Sequence, residues 1–304
     1  MSTNEERRQA AKRKLEERLE NEQRAARKRR MTIIGVSVAV VVVVAGTITG
    51  VVVKKVSDDR EKERWTACAW GPQEDPKVQP VDPPAQIPAA QHAEYRKQVV
   101  EYNKQIQDYL AKKKSSPKPG AKQLKKGTLD VVFETSQGAI PMTLKREAAP
   151  CNTGAIEQLI RDKYFDNSTC HRMTAGATLK VLQCGDPSGT GMGGPGWTSP
   201  DEPPTDLKAS GAPNAMGQQA VTYPRGTIAI ANNGQANSGS SQFFLVTGDS
   251  TLPADYAVVG TVNPAGLAVL DKVAKGGITP GASGSKEDGA PKLTVKITAA
   301  TVKS

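Results

Sequence analysis

The hydrophobic pattern changes character twice along the chain. Residues 31–53 carry no charge and are dominated by Val, Ile and Gly. As a helix, 23 such residues would span ~35 Å, enough for a bilayer core of ~30 Å. Valine is an indifferent helix former in water, but in lipid the backbone must satisfy its own hydrogen bonds, so helix is expected. A cleaved signal peptide fits less well, because its apolar run is shorter and no small-residue cleavage site follows here. Residues 91–113 show a different pattern. Tyr95, Val99, Tyr102, Ile106 and Tyr109 recur at helical spacing with charged residues between them. From residue 128 the apolar runs become short. Leu129 to Glu134 alternates as a strand, Gln137-Gly138 turns the chain, and Ala139 to Leu144 returns. A helix is expected within 148–164, capped by Asn152 or Thr153, with Ile156, Leu159 and Ile160 inward. Pro264 to Ala274 predicts a second helix closed by Gly276-Gly277, and Leu293 to Val302 a last strand. Many short strands with two helices predict a mainly-β closed barrel with helices at its ends.

Charge adds topology. The chain has a formal net charge of +10, and residues 1–30 hold eleven Lys/Arg against six Glu. Arg27, Lys28, Arg29 and Arg30 abut the apolar run, whereas only Lys54 and Lys55 follow it. The positive-inside bias then leaves the basic tail (1–30) in the cytoplasm and everything after a single-pass anchor (31–53) outside. The tail has no interleaved aromatics and no nucleic-acid motif, so a nucleic-acid partner is not expected. Between anchor and barrel, 54–127 predicts an extracytoplasmic spacer. It comprises a charged juxtamembrane stretch, a semi-rigid run with six prolines between Gly71 and Ala90, the 91–113 helix, and a second linker from Ser115 to Gly127. The domain proper is expected at 128–304.

The stretch from Gly226 to Val246 organises this last part. A strand with Ile228 and Ile230 gives way to a loop of Asn, Gly, Ser and Gln, and then to Phe243-Phe244-Leu245-Val246. Such a loop can aim amides and carbonyls at an extended ligand beside an apolar floor. Its partner runs from His171 to Gly196. In order, the chain shows Cys170-His171-Arg172, Gln183-Cys184-Gly185-Asp186-Pro187, a glycine-rich loop from Gly189 to Gly196, Ala231-Asn232, and Ser241-Gln242-Phe243-Phe244. These resemble the F-H-R, Q-x-G-D-P, G-T-G-x-G-G-P-G and M-A-N…S-Q-F-F motifs of the cyclophilin-type peptidyl-prolyl isomerases, over roughly 128–303. With the anchor, spacer and cysteine pattern, the membrane-anchored actinobacterial type is the nearest likeness. The resemblance implies an eight-stranded antiparallel barrel capped by two helices, acting on X-Pro bonds of exported polypeptides without a cofactor.

That chemistry needs no nucleophile or metal. Rotation about an X-Pro amide crosses a barrier of ~18–20 kcal/mol as the C–N bond loses double-bond character. A site that holds the ring in an apolar slot and donates to the increasingly basic prolyl nitrogen binds the twisted amide better than the planar one. Arginine suits the donor role, being permanently charged and rich in N–H groups. The resemblance assigns that role to Arg172. It gives Gln183, Gln242, Ala231 and Asn232 to the substrate backbone, and Phe244, Leu252 and Tyr256 to the slot, with Tyr256 replacing a histidine usual in eukaryotic members.

There are departures. The family's Pro-Gly-Phe-Met before the Gln strand is missing; Val181 is the nearest stand-in for its methionine, with Leu179 or Leu182 as alternatives. The tryptophan often beside the pocket leucine is Thr251, which bears on cyclosporin sensitivity. Residues 200–223 form a long insert beside the site. The same glycine loop satisfies G-x-G-x-x-G, but Pro195-Gly196 bars the helix that a dinucleotide site requires. Cys68, Cys151, Cys170 and Cys184 lie beyond the anchor, where pairing is permitted. Cys170 and Cys184 are expected on neighbouring strands and so to pair, leaving Cys68 with Cys151, one of three possible connectivities. No C-x-x-C occurs and the only histidines are His92 and His171, so no metal is expected. Two other functions fit the same residues: a proline-segment binding module with little turnover, or an envelope scaffold acting through the 91–113 helix.

Overall fold

Two eight-residue strands, β1 (Thr128–Thr135) and β2 (Gly138–Lys145), form the hairpin that the alternation at 129–144 predicts. Their inward residues Val131, Phe133, Ile140, Met142 and Leu144 are all buried. The structure is a computed structural model that describes residues 4–211, 219–281 and 284–303, the side chains of residues 4, 5, 7 and 33–53 excepted. Six more strands complete the main frame: β3 (Arg172–Ala175), β4 (Lys180–Cys184), β5 (Thr227–Ile230), β6 (Phe243–Val246), β7 (Val258–Val262) and β8 (Lys296–Val302).

The hydrogen-bonded order is β3-β4-β6-β5-β7-β2-β1-β8, with antiparallel neighbours throughout. Beyond β3 the sheet continues through Asp288–Pro291 to Ile278–Pro280, and beyond β8 it takes in Ser168–Thr169. The expected count of eight strands is therefore corrected to eleven in this sheet among the described residues. The additional pieces are two to four residues long and lack an alternating apolar pattern, so periodicity does not reveal them.

Two caps pack on the sheet. With α1 assigned to Asn4–Arg64 and α2 to His92–Lys112, these are α3 (Pro150–Arg161) and α4 (Pro264–Gly276). Ile156, Leu159 and Ile160 of α3 are buried as expected. Its start is corrected from Asn152 or Thr153 to Pro150. The first-turn amides are satisfied from a distance: Glu202 accepts from the N–H of Cys151 and of Asn152, both at 2.9 Å. Proline at the first turn and a carboxylate at the positive helix end both favour this start. Helix α4 ends where Gly277 takes φ +80°, the left-handed conformation that glycine adopts cheaply. The last strand begins at Lys296, not Leu293, although Val295 is already fully buried.

The chain divides into two compact units, Met1–Lys62 and Glu63–Ser304. In the first, α1 continues without a break from the basic tail through residues 31–53. Among the described residues no helix is long and apolar enough to cross a membrane. The expected anchor lies, from residue 33 on, among side chains outside the described residues.

In the second unit the predicted spacer lies against the domain. Both disulfides form as expected, Cys170–Cys184 and Cys68–Cys151. The second staples the stretch after α1 to helix α3. Trp65–Ala67 pairs with Lys122–Leu124, and Gly71–Pro72 pairs with Trp197–Thr198. Helix α2 buries Val99, Ile106 and Tyr109, three of the five residues that its periodicity selects. The proline run crosses α2 and exchanges hydrogen bonds with it: the Gln79 N–H donates to the Asn103 side chain, which donates back to the Gln79 carbonyl, both at 2.8 Å.

Candidate active site

The uniformly apolar run of β6 is explained by burial on both faces. Phe243 and Leu245 point into the main core, with Ile228 and Ile230 of β5 and Leu182 and Met173. Phe244 and Val246 point the other way, into a second cluster with Val181, Val221, Tyr223 and Ala229. Because side chains alternate along a strand, the pairing register identifies what shares that second face. Arg172 lies opposite Gln183, Gln183 opposite Phe244, and Phe244 opposite Ala229. The next row is Asp288, Thr174, Val181 and Val246. One face of four neighbouring strands thus carries a cation, an amide and an apolar floor in sequence.

The floor is made by aromatic packing. Phe244 and Tyr256 meet edge-on with ring centres 5.5 Å apart, and Tyr223 stands 6.3 Å from each. Tyr223 is wholly buried, and its hydroxyl bridges the backbone of Tyr256, donating to the carbonyl at 3.1 Å and accepting from the N–H at 3.2 Å. Burial raises the pKa of the Tyr223 hydroxyl, which stays protonated. Leu252, Leu179 and Leu207 border this cluster. The insert contributes here: Ala220–Tyr223 pairs with Ser250–Pro253, setting Val221 opposite Leu252. Its residues 212–218 lie outside the described residues. Leu182 is one of the sequence's alternatives to Val181 at the slot. That is corrected: Leu182 is fully buried in the main core opposite Leu245, on the far face of β4 from Val181.

Above the floor, polar side chains form one directed chain. Arg172 donates through Nε and Nη2 to the two carboxylate oxygens of Asp288, at 2.8 and 2.7 Å, and through Nη1 to Gln183 Oε1 at 3.3 Å. Gln183 Nε2 donates to Gln242 Oε1 at 2.9 Å. Gln242 Nε2 donates to the carbonyls of Gly191 and Gly193, each at 2.9 Å. From Arg172 Nη1 onward each donor points toward the glycine loop, so neither amide can flip without losing a bond. The loop is anchored on buried Asp186, whose carboxylate accepts from the N–H groups of Ser188, Gly191 and Gly193. A side chain at residue 193 would collide with that carboxylate, so glycine is required there. No helix follows the loop, in keeping with a turn beside a strand end.

Among the described residues three of the five guanidinium N–H groups are engaged, leaving one on Nη1 and one on Nη2 for a ligand. The side chain is 41% exposed and reachable. The hydrogen bonds that Arg172 donates to Asp288 raise the pKa of the guanidinium and hold the Asp288 carboxyl below its ordinary value. Ala231 and Asn232 leave the end of β5 beside Gln242, with the Ala231 N–H bonded to the Gln242 carbonyl at 2.9 Å. Asn232 is held by the Asp255 carbonyl at 3.0 Å and accepts from the Gly234 N–H at 3.1 Å. The sequence reading missed Asp288 and Tyr223. Asp288 sits in a glycine- and charge-rich stretch with no periodic signal. Tyr223 ends the insert, where only the apolar alternation of Val221 and Tyr223 could have marked a strand. Among the described residues no group of His, Cys, Asp and Glu is placed to hold a metal.

Residues 130–302 match the sequence model of the family described as cyclophilin type peptidyl-prolyl cis-trans isomerase/CLD. The chain is 43% identical over 190 residues to a Mycobacterium leprae protein named "probable peptidyl-prolyl cis-trans isomerase B", covering 62% of each chain. The protein of that name from Mycobacterium tuberculosis is 41% identical over 191 residues, 63% of this chain and 60% of that one. The match thus spans about three-fifths of the length of these relatives. A solved Cryptosporidium parvum cyclophilin-type isomerase superposes with a TM-score of 0.45 at 22% identity, covering 59% of this chain and 99% of the other.

Proposed function

This chain belongs to the cyclophilin type peptidyl-prolyl cis-trans isomerase family, and from that premise we propose that it accelerates rotation about X-Pro bonds in extended polypeptides. The observation that carries the proposal is the placement of the Arg172 guanidinium on the same sheet face as Phe244, with only the Gln183 strand between them. A proline ring seated on Phe244, walled by Val181, Leu252 and Tyr256, sets its amide within reach of the two unengaged N–H groups. As the amide twists, its nitrogen becomes pyramidal and gains basicity, and the fixed cation stabilises that state more than the planar one. Asp288 and Gln183 hold the guanidinium in place beforehand, so little reorganisation accompanies the rotation. Gln242, Ala231 and Asn232 supply backbone contacts that keep the flanking residues from turning with the bond.

The proposal includes a location. The uncharged run 31–53 within α1, flanked by Arg27 to Arg30, supports a single-pass anchor with the N-terminus cytoplasmic. The two disulfides favour an oxidising compartment for the rest of the chain. The substrates are then exported polypeptides. Extraction of membranes at alkaline pH and thiol labelling of intact cells test this part: the protein stays with the lipid and its cysteines stay unlabelled until reduction.

The activity itself is tested by exchange NMR on an Ala-Pro-Phe peptide with the full chain in detergent micelles. Acceleration at catalytic protein concentration supports the enzyme. Binding without acceleration supports a proline-segment binding module, and the shortened wall at Val181 is the feature favouring that second reading.

A further inference from the structure

A groove of about 640 Å³ opens beside the glutamine pair, and only one of its walls comes from the region matched to the family. That wall is formed by Gln183, Gln242, Gly191, Met192, Ala231 and Asn232. The opposite wall is Pro72, Gln73, Glu74 and Pro76 of the proline run, together with Tyr102 of α2. These five lie more than twenty residues before the matched region. We propose that this stretch is part of the substrate site, lengthening it beyond the proline slot and selecting extended polypeptides that carry an apolar side chain near the proline. This inference rests on the isomerase reading above.

Three observations argue that the second wall is built rather than incidental. First, it is fixed to the glycine loop that the site already uses. The Gln73 N–H donates to the Gly196 carbonyl at 3.3 Å, and the Gly196 N–H donates to Gln73 Oε1 at 3.2 Å. A side chain at residue 194 would overlap Gln73, so the loop's glycine admits the segment. Second, the segment is clamped from behind by α2. Asp75 accepts from the Tyr109 hydroxyl and from Lys113 Nζ, at 2.6 Å for the lysine. Third, the groove is continuous with the proline slot, because Gln183 lines the one and pairs with Phe244 of the other.

The lining defines the occupant. Each side-chain oxygen of Gln73, Gln183, Gln242 and Asn232 already accepts one bond and keeps a second lone pair, and Gln183 Nε2 keeps one N–H among the described residues, for the groups of an extended peptide backbone. Pro72, Pro76, Tyr102 and Met192 offer apolar contact to one side chain. Among the described residues Glu74 is the one charged lining residue, and its ion pair with Lys77 is long, 4.0 Å, and exposed, so the groove favours neutral or basic side chains over acidic ones.

The test compares two uncharged substrates of the full chain in micelles. One is a four-residue proline peptide that fills the slot. The other is a ten-residue peptide extended on both sides with apolar residues. The expected ratio of kcat/KM, long over short, falls about fivefold in Tyr102→Ala through KM, since one aromatic contact is lost. A second pair of long peptides, one bearing Lys and the other Glu, tests Glu74→Lys, at an exposed position where folding is safe; the preference between them is expected to shift by about threefold toward the acidic one. An unchanged ratio in both variants, or an equal loss on both peptides, overturns the proposal. If wild-type protein accelerates neither peptide, the isomerase reading fails. Calorimetric affinity for the long peptide, compared between wild type and Tyr102→Ala, then still decides whether the groove binds: a weaker variant supports the groove, and equal affinities overturn it.

Discussion

Asp288 grips Arg172 by both carboxylate oxygens, from a short strand that the family motifs do not include. The pair does two things at once. It fixes the plane of the guanidinium, and it leaves one N–H on each terminal nitrogen directed away from the carboxylate. Both partners are about two-fifths exposed, so the pair adds little to folding but orders a side chain that would otherwise sample several rotamers.

Asp288→Asn is therefore expected to lower kcat by about two- to fivefold with KM nearly unchanged, the scale of an exposed ion pair. Asp288→Glu restores part of the loss. Steady-state constants for the three proteins on one short peptide check this. A change confined to KM would mean that Asp288 shapes the slot rather than the donor.

Leu252→Ala probes the apolar wall. Leu252 borders the Phe244 cluster and is half-buried, so truncation removes about 1 kcal/mol of contact with a seated proline ring. The expected result is a rise in KM of about fivefold with kcat altered less. An effect on kcat alone would place the ring elsewhere.

Acid acts on two groups with different windows. Hydrogen bonding to Arg172 keeps Asp288 ionised below its ordinary value of 3.8, so the clamp survives mild acid and turnover should be level from neutral pH to about 5. His171 behaves otherwise. Burial lowers its pKa from 6.5, with Asp186 opposing and Arg172 assisting, and its Nδ1 is buried without a hydrogen-bond partner among the described residues. The unfolded chain then binds the proton more readily than the folded one. Stability should fall as pH drops below about 6.5, through the lower folded value. Melting temperatures of wild type and His171→Gln between pH 7.5 and 5 measure this, and the variant should show the flatter curve. Parallel curves would assign the acid sensitivity to another group.

Much of this arrangement was legible beforehand, for specific reasons. The Phe243 to Val246 run declared a strand buried on both faces, and Arg172, Gln183 and Gln242 were identified by ordered motifs around them. The Cys170–Cys184 disulfide followed from strand adjacency, and Cys68–Cys151 was the pair then left. Leu182 was misassigned because one position along a strand exchanges core for cleft, and composition does not tell the two faces of a fully buried strand apart. Asp288 lay in a stretch of glycine and charge where pairing, not pattern, creates the strand. The docking of 63–127 could not be read either. Proline-rich spacing reads as linker, and only the Cys68–Cys151 pairing hinted that the segment is held against the domain.

That bond gives a further expectation. Cys68 and Cys151 are 83 residues apart, and losing a cross-link over such a loop costs about 2–4 kcal/mol. In Cys68→Ser/Cys151→Ser the melting temperature of the 63–304 unit should drop by about 4–16 °C, from the usual dependence for a unit of this size. Scanning calorimetry reads the shift. No change would mean that the non-covalent contacts of residues 65–76 hold the segment unaided.

The central claim is that Arg172 stabilises the twisted amide rather than merely holding the peptide. The direct measurement is kcat/KM by exchange NMR for wild type, Arg172→Lys and Arg172→Ala, alongside Kd for the same peptide in its planar form. The account predicts that Arg172→Ala loses at least about a hundredfold in kcat/KM, the scale of a lost preorganised donor, while Kd changes less than about threefold. Arg172→Lys should fall between, since a point charge cannot keep the two-pronged bond to Asp288 while donating to the prolyl nitrogen. A loss of rate matched by an equal loss of affinity would contradict the account.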